Sequence, residues 1–151
     1  MRRDDRAITD PAEIEAILKE APVCRMGLAN GGNPYVVPLC FGYEDRAVYI
    51  HSAPEGKKIV MLEQNPRCCF EVDICDRVVR NDSPCSWGMR YRSVIGYGRA
   101  AFLTDPGEKR HGLACIVQHY GGGTPAFSDR EIASVSVIRI AVESMTGKKH
   151  D

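Results

Sequence analysis

The chain has 151 residues, with 20 Lys and Arg balanced by 20 Asp and Glu. That is the length of one ordinary domain with a real core, so a single domain over residues 1–151 is expected. Zero net charge argues against nucleic acid or an anionic membrane as partner, and no run approaches the roughly 18 apolar residues of a membrane helix.

The opening Met1-Arg2-Arg3-Asp4-Asp5-Arg6 is charged and has no apolar segment behind it. It is unlike a secretory signal, and a cytoplasmic location is expected. Thr9-Asp10-Pro11-Ala12-Glu13 reads as a helix start: a capping residue, proline at the first helical position and an acid in the first turn. Ile14, Ile17, Leu18 and Ala21 then form one apolar stripe, and Pro22 ends the helix. Residues 23–29 read as a strand. Asn30-Gly31-Gly32-Asn33 is a hairpin turn, because glycine and asparagine tolerate positive φ. The return strand covers 34–43. Its inner Pro38 removes a ladder donor, which suits an edge or an irregular position.

Glu44-Asp45-Arg46 turns into a strand over 47–50. A polar turn follows, His51-Ser52-Ala53-Pro54-Glu55-Gly56. A helical pattern over 57–64 then begins with Lys57-Lys58 and carries Ile59, Met61 and Leu62 as its apolar positions. Lysine is favoured near helix C-termini, where the dipole is negative, so two at a helix start need another reason. Free N–H groups, the positive end of the dipole and two point charges make an anion site of phosphate size. His51, where this turn begins, either ends a strand with its ring hydrogen-bonded or contacts a ligand.

Asn65-Pro66 breaks the helix, and 67–74 is another strand. Residues 76–86 read as a polar loop. A long strand-like segment covers 87–103, with Gly96 and Gly98 suggesting a bulge or sharp bend. Alternation there puts Tyr91 and Ser93 on one face and Arg90 and Arg92 on the other. Thr104-Asp105-Pro106 starts a helix that runs to about Tyr120 and stops at Gly121-Gly122-Gly123. The last strand, 134–145, shifts its apolar phase between Val137 and Ile138, so it either bulges or is buried on both faces. Six strands joined mostly by hairpin-length turns favour a mainly β protein with short helices, a small antiparallel barrel.

Seven cysteines are an odd count. Cys24, Cys40, Cys68, Cys69, Cys75 and Cys115 sit in apolar or strand-like settings, where a reduced thiol acts as a small hydrophobe. Only Cys85 reads as exposed. No C-x-x-C pair occurs, so neither a zinc site nor a disulfide framework is expected.

In order, Pro34-Tyr35-Val36-Val37-Pro38-Leu39, Tyr49-Ile50-His51-Ser52, Gly56-Lys57-Lys58, Asn65-Pro66 and Tyr91-Arg92-Ser93-Val94-Ile95-Gly96-Tyr97-Gly98 resemble the pyridoxamine 5′-phosphate oxidase-like flavoproteins. The charged opening and the spacing are most similar to the branch associated with 5-nitroimidazole antibiotic resistance. The resemblance implies a six-stranded antiparallel split β-barrel that binds FMN, or FAD, between the two subunits of a homodimer. It implies that Val36, Val37, Pro38 and Leu39 run beside the flavin ring. Ile50, His51 and Ser52 would then contact the cofactor, Lys57 and Lys58 would hold its phosphate, and Arg92 and Ser93 would reach the flavin of the other subunit. His51 becomes the candidate catalytic residue, since a histidine beside a flavin can hold the cofactor or supply a proton.

The implied activity is a flavin-dependent oxidoreductase passing electrons from a small donor to a small, nitroaromatic-like acceptor. The oxidase proper pairs arginine with lysine at the phosphate and completes its site with a C-terminal tryptophan and arginine. Here both phosphate residues are lysine and the only tryptophan is Trp87, so pyridoxamine phosphate oxidation itself is not expected. No G-x-G-x-x-G nicotinamide fingerprint is present. Two other classes stay open: a flavin store or sensor without turnover, and a split barrel holding haem or a deazaflavin, with His51 and His119 as candidate haem ligands.

Overall fold

The computed structural model describes residues 4–150. The opening at 1–3, on which part of the signal and family reading rests, and residue 151 lie outside them. In chain order the elements are β1 (Ala7–Ile8), α1 (Pro11–Glu20), β2 (Cys24–Asn30), β3 (Asn33–Leu39), β4 (Phe41–Glu44), β5 (Ala47–Ser52) and α2 (Lys57–Gln64). Then follow β6 (Arg67–Val79), β7 (Gly88–Phe102), α3 (Pro106–His119), α4 (Asp129–Ser134) and β8 (Ser136–His150).

All pairings are antiparallel, and the strands run β3-β2-β6-β7-β8-β5-β4, with β1 added to β8. The two edges of that path, β3 and β4, are consecutive in the chain and separated only by Cys40. A sheet whose opposite edges are joined by one residue has to curl until they meet, which makes it a split barrel. The sheet among the described residues has eight strands, not six. The expected strand over 34–43 breaks at Cys40 into β3 and β4, and β1 is too short to show an alternation. Pro38 stands on an edge strand paired only to β2, as its missing donor requires.

The helix starts follow their caps. The Asp10 carboxylate accepts from the Ala12 N–H at 2.9 Å, and the Asp105 carboxylate from the Glu108 N–H at 2.9 Å. Sequence reading misses α4, although Ser128 and Glu131 form a capping box there. The hairpin turn carries positive φ at Gly31 and Gly32, as expected. The polar loop after β6 starts later than expected, because β6 runs on to Val79 past a bulge between Cys75 and Arg77.

The barrel interior is filled by Met26, Phe41, Val48, Ile50, Phe70, Val72, Val94, Ile138 and Ile140, with Ile17 and Leu18 of α1 closing one end. Each such side chain contributes about 1.5–3 kcal/mol when fully buried. Outside the barrel, α3 covers β4 and β5 and builds a smaller cluster from Ala47, Tyr49, Cys115 and Ile116. This explains the phase shift in β8. Val137 and Ile138 are both buried because that strand has the barrel on one face and α3 on the other. A bulge also occurs, further along, where Tyr97 pairs with Ser144 and Gly98 with Val142.

Gly96 marks a close approach rather than a turn. A Cβ there would sit against the Phe70 ring inside the barrel. Overpacking a tight core costs about 1–3 kcal/mol, so Gly96→Ala is expected to lower the melting temperature clearly in a thermal scan. An unchanged melt would mean that Phe70 moves aside freely.

Candidate functional site

The turn after β5 delivers the chain into α2 through Gly56, whose φ of 125° is open to glycine and strained for other residues. Gly56 is also the N-cap and has no side chain to bond the first-turn amides. The helix therefore starts with uncapped N–H groups, has no acid in its first turn and opens on Lys57 and Lys58. The Lys57 ammonium lies 4.8 Å from the centroid of the Tyr35 ring, which ties the helix start to edge strand β3. At the other end of α2, the Asn65 amide donates to the Ala29 carbonyl at 2.9 Å.

Lys58 is half-buried, and that burial holds its pKa below the usual lysine value. Neither lysine makes an ion pair among the described residues. Two unpaired cations at an uncapped helix start leave positive potential unmet at one point of the surface. A phosphate dianion answers all of it at once.

The other predicted site residues fall into distinct settings. His51 is the last residue but one of β5, its side chain is exposed, and its ring makes no hydrogen bond among the described residues. Ser52 beside it is half-buried. Ile50 is 0% exposed, so its side chain belongs to the barrel core and only its backbone can meet a ligand. On β3, Val37 and Leu39 turn toward the core while Val36 and Pro38 turn outward, with Val36 65% exposed. Because β3 pairs only with β2, alternate peptide groups along it face away from the ladder and are open to a ligand.

Arg92 and Ser93 separate. The Arg92 guanidinium is bidentate to the Glu20 carboxylate of α1, at 3.0 and 2.9 Å, and this raises the arginine pKa and lowers that of the acid. Ser93 is on the opposite face of β7, with Ile95 and Tyr97 further along that face at 44% and 54% exposure. β7 is an interior strand between β6 and β8, so it presents a face rather than an edge. Register carries the outward surface across the sheet: Val36 lies beside Gly27, Gly27 beside Cys69, and Cys69 beside Tyr97. These residues line a groove of about 500 Å³. One step along, Arg25 bonds both Glu71, at 3.1 Å, and Asp73. Sequence reading leaves Tyr35 out of the site. Its signal was the inward phase of β3, which places it beside the helix that follows β5.

His119 is spoken for. Its Nε2 lies 2.8 Å from the Ala21 carbonyl and its ring centroid 4.3 Å from that of Phe41. Next to it, the Tyr120 hydroxyl donates to the Pro22 carbonyl at 2.9 Å and accepts from the Phe41 N–H at 3.2 Å. The end of α3 thus pins the corner where β3 gives way to β4, a packing role that argues against haem ligation by this histidine. All seven cysteines are free. Burial pushes Cys24 and Cys68 up to about 12 and Cys115 to about 11, so these thiols are inert at neutral pH. Cys40 and Cys75 are exposed, contrary to the apolar setting expected of them, because one lies at the β3–β4 break and the other at the β6 bulge. No group of three or more metal-ligating side chains occurs among the described residues, and none of their helices is long and apolar enough to cross a membrane.

A split barrel with an open edge strand beside an uncapped, doubly basic helix start defines a class, and sequence comparison agrees with it. The profile described as pyridoxamine 5′-phosphate oxidase matches residues 10–149, and the chain belongs to that family. Within it, the chain is similar to a protein of Bacteroides thetaiotaomicron named for 5-nitroimidazole antibiotic resistance. The two are 40% identical over 94% of this chain and 85% of that one, with a TM-score of 0.84. It is also similar to the flavocytochrome Anf3 of Azotobacter vinelandii, at 26% identity, 100% and 72% coverage and a TM-score of 0.87. An FAD-binding protein of Mesorhizobium loti is 28% identical, with 97% and 98% coverage and a TM-score of 0.73. No curated protein sequence matches.

Proposed function

We propose that the chain is a homodimeric, cytosolic flavoprotein that binds FMN with its phosphate on the α2 N-terminus, and that it reduces a small acceptor of the nitroaromatic class. The observation that carries this reading is the pair of unpaired lysines, Lys57 and Lys58, on a helix start that glycine leaves uncapped. The FAD-binding relative and the flavocytochrome support a flavin, and the nitroimidazole-resistance relative supports the acceptor class. Seven free cysteines suit a reducing compartment.

The flavin would supply the redox chemistry, taking electrons from a nicotinamide or other donor and passing them on. The protein's own part is to bind and orient. Lys57, Lys58 and the first amides of α2 hold the phosphate, and the free edge of β3 lies beside the ring with Val36 and Pro38 outward. His51, exposed and unbonded, stands where it can hold the ribityl chain or give a proton to the reduced acceptor. Ser93 shares the outward sheet face with Ile95 and Tyr97 and meets the flavin of the second subunit. Arg92 stays with Glu20 and orders the barrel end.

The test is the visible spectrum of the purified protein with mass spectrometry of what it releases. FMN is expected. Colourless protein whose melting temperature FMN leaves unchanged would end this reading. Stopped-flow bleaching by NADH or NADPH, followed by reoxidation with a nitroaromatic, separates an enzyme from a flavin store; no bleaching with any donor favours the store.

Lys58 sets a pH dependence. Burial lowers its pKa in the free protein, and a bound phosphate raises it again. FMN affinity is therefore full below the free-protein pKa and falls as pH rises through it, by up to about tenfold per unit until the bound-state pKa is reached. Riboflavin affinity should stay level across the same alkaline range. Fluorescence titrations of both ligands check this, and parallel curves would remove Lys58 from the phosphate site.

A further inference from the structure

A second cavity lies between the first half of α3 and the outer face of β5 and β8, with a volume of about 310 Å³. It shares no lining residue with the groove along β3, and none of the predicted cofactor residues lines it. Its floor is apolar, made of the Tyr49 ring and Leu103. Arg139 is the register partner of Tyr49 and rises beside that ring from β8. From the first turns of α3, Glu108 and His111 face the same space. His111 stands edge-on to Tyr49, with ring centroids 5.5 Å apart, and its Nε2 lies 2.7 Å from the Glu44 carboxylate.

The charges in this cavity do not close on each other. Arg139 and Glu108 line the same space, yet neither makes an ion pair or side-chain hydrogen bond with the other or with any other described residue. Arg139 is half-buried, so its charge is partly desolvated without compensation. A cation and an acid facing one gap, over an apolar floor, are complementary to a small molecule that carries both signs at one end and an apolar group at the other. Convergent polar groups over an apolar surface are the usual makeup of a ligand pocket. At roughly 30 Å³ per water-sized group, the space holds about ten such groups, the size range of a large apolar amino acid.

We propose that this cavity binds an α-amino acid of the leucine or phenylalanine class. Its carboxylate pairs with Arg139, its ammonium with Glu108, and its side chain lies on Tyr49 and Leu103. His111, already held by Glu44, packs over the ring and walls the site. The site is independent of the flavin cradle, so its occupancy does not depend on FMN.

The test is a titration of L-phenylalanine into the isotope-labelled, full-length protein, followed through the amide resonances of Leu103, Gly107, His111 and Arg139. Saturable shifts confined to these residues are expected. Phenethylamine, which lacks the carboxylate, and 3-phenylpropanoate, which lacks the amine, should each bind about tenfold or more weaker. Arg139→Gln should weaken phenylalanine similarly. Glu108→Gln does the same at an exposed position, where loss of fold is not a concern. Absence of saturable shifts, equal binding of either analogue, or unchanged binding by Glu108→Gln overturns the proposal. The readout needs no flavin, so its failure and that of the flavin reading are distinct.

Discussion

Replacing Lys57 and Lys58 together by alanine should weaken FMN binding by roughly 100-fold or more and leave riboflavin within about threefold. A hydrogen bond to a charged group contributes about 1.5–3 kcal/mol, so two lost contacts remove about 3–6 kcal/mol. The contribution lies toward the upper end for Lys58, whose half-burial screens it less than a surface lysine. The helix amides remain in the double variant and keep a share of the phosphate affinity, so binding is weakened rather than abolished. Riboflavin is the control because it carries the ring and ribityl chain without the phosphate. Flavin fluorescence quenching measures both. Equal losses for the two ligands would mean that the lysines support the fold around the ring, and the phosphate would then belong elsewhere. Neither lysine packs in the core, so the melting temperature of the unliganded variant should stay close to that of the parent.

Much of this site was legible because local physics wrote it. A lysine pair at a helix start is anomalous against the dipole, and Gly56 just before it is the residue that leaves such a start uncapped. Pro38 announced an edge strand through its missing donor. Gly96 and Gly98 announced a bulge or sharp bend; a bulge is found opposite Val142, while Gly96 instead makes room for the Phe70 ring. What stayed hidden depends on contacts distant in sequence. The Arg92–Glu20 pair spans 72 positions, and no periodicity reveals that this arginine is engaged by an acid of α1. The sequence leaves His119, at the end of a helix, as a candidate haem ligand. Its bond to Ala21 lies 98 positions away and exists only because the barrel closes at Cys40. That closure also hid the strand count, since a break of one residue between β3 and β4 leaves no turn signal. Ile50 illustrates the limit of reading a motif: it sits beside His51 in sequence, but alternation sends its side chain into the core.

Tyr97→Glu should convert the protein to a monomer and remove bound FMN in the same step, with little change in the far-ultraviolet dichroism. Tyr97 is 54% exposed on the single chain, and Val36 and Ile95 are exposed with it on the same outward face. A patch of large apolar side chains in the middle of a sheet is unusual on a free surface and normal at an interface. Ser93 lies on that face too, and so do the outward side chains of β3, Val36 and Pro38. The surface that would meet a second copy is therefore continuous with the surface that would meet the cofactor. A carboxylate buried there without a partner costs several kcal/mol, enough to dissociate a dimer at micromolar concentration. Its register partner on β6 is the uncharged Cys69, and the cation that shares its groove, Arg67, is exposed and offsets only part of that cost. Sedimentation velocity with the flavin absorbance as a second signal reads both consequences. If the variant stays dimeric and yellow, the apolar face is not the interface, and Ser93 cannot reach the flavin of a partner. If it is monomeric and still holds FMN tightly, the cradle is complete within one chain, and the exposed edge of β3 needs no second subunit to cover it.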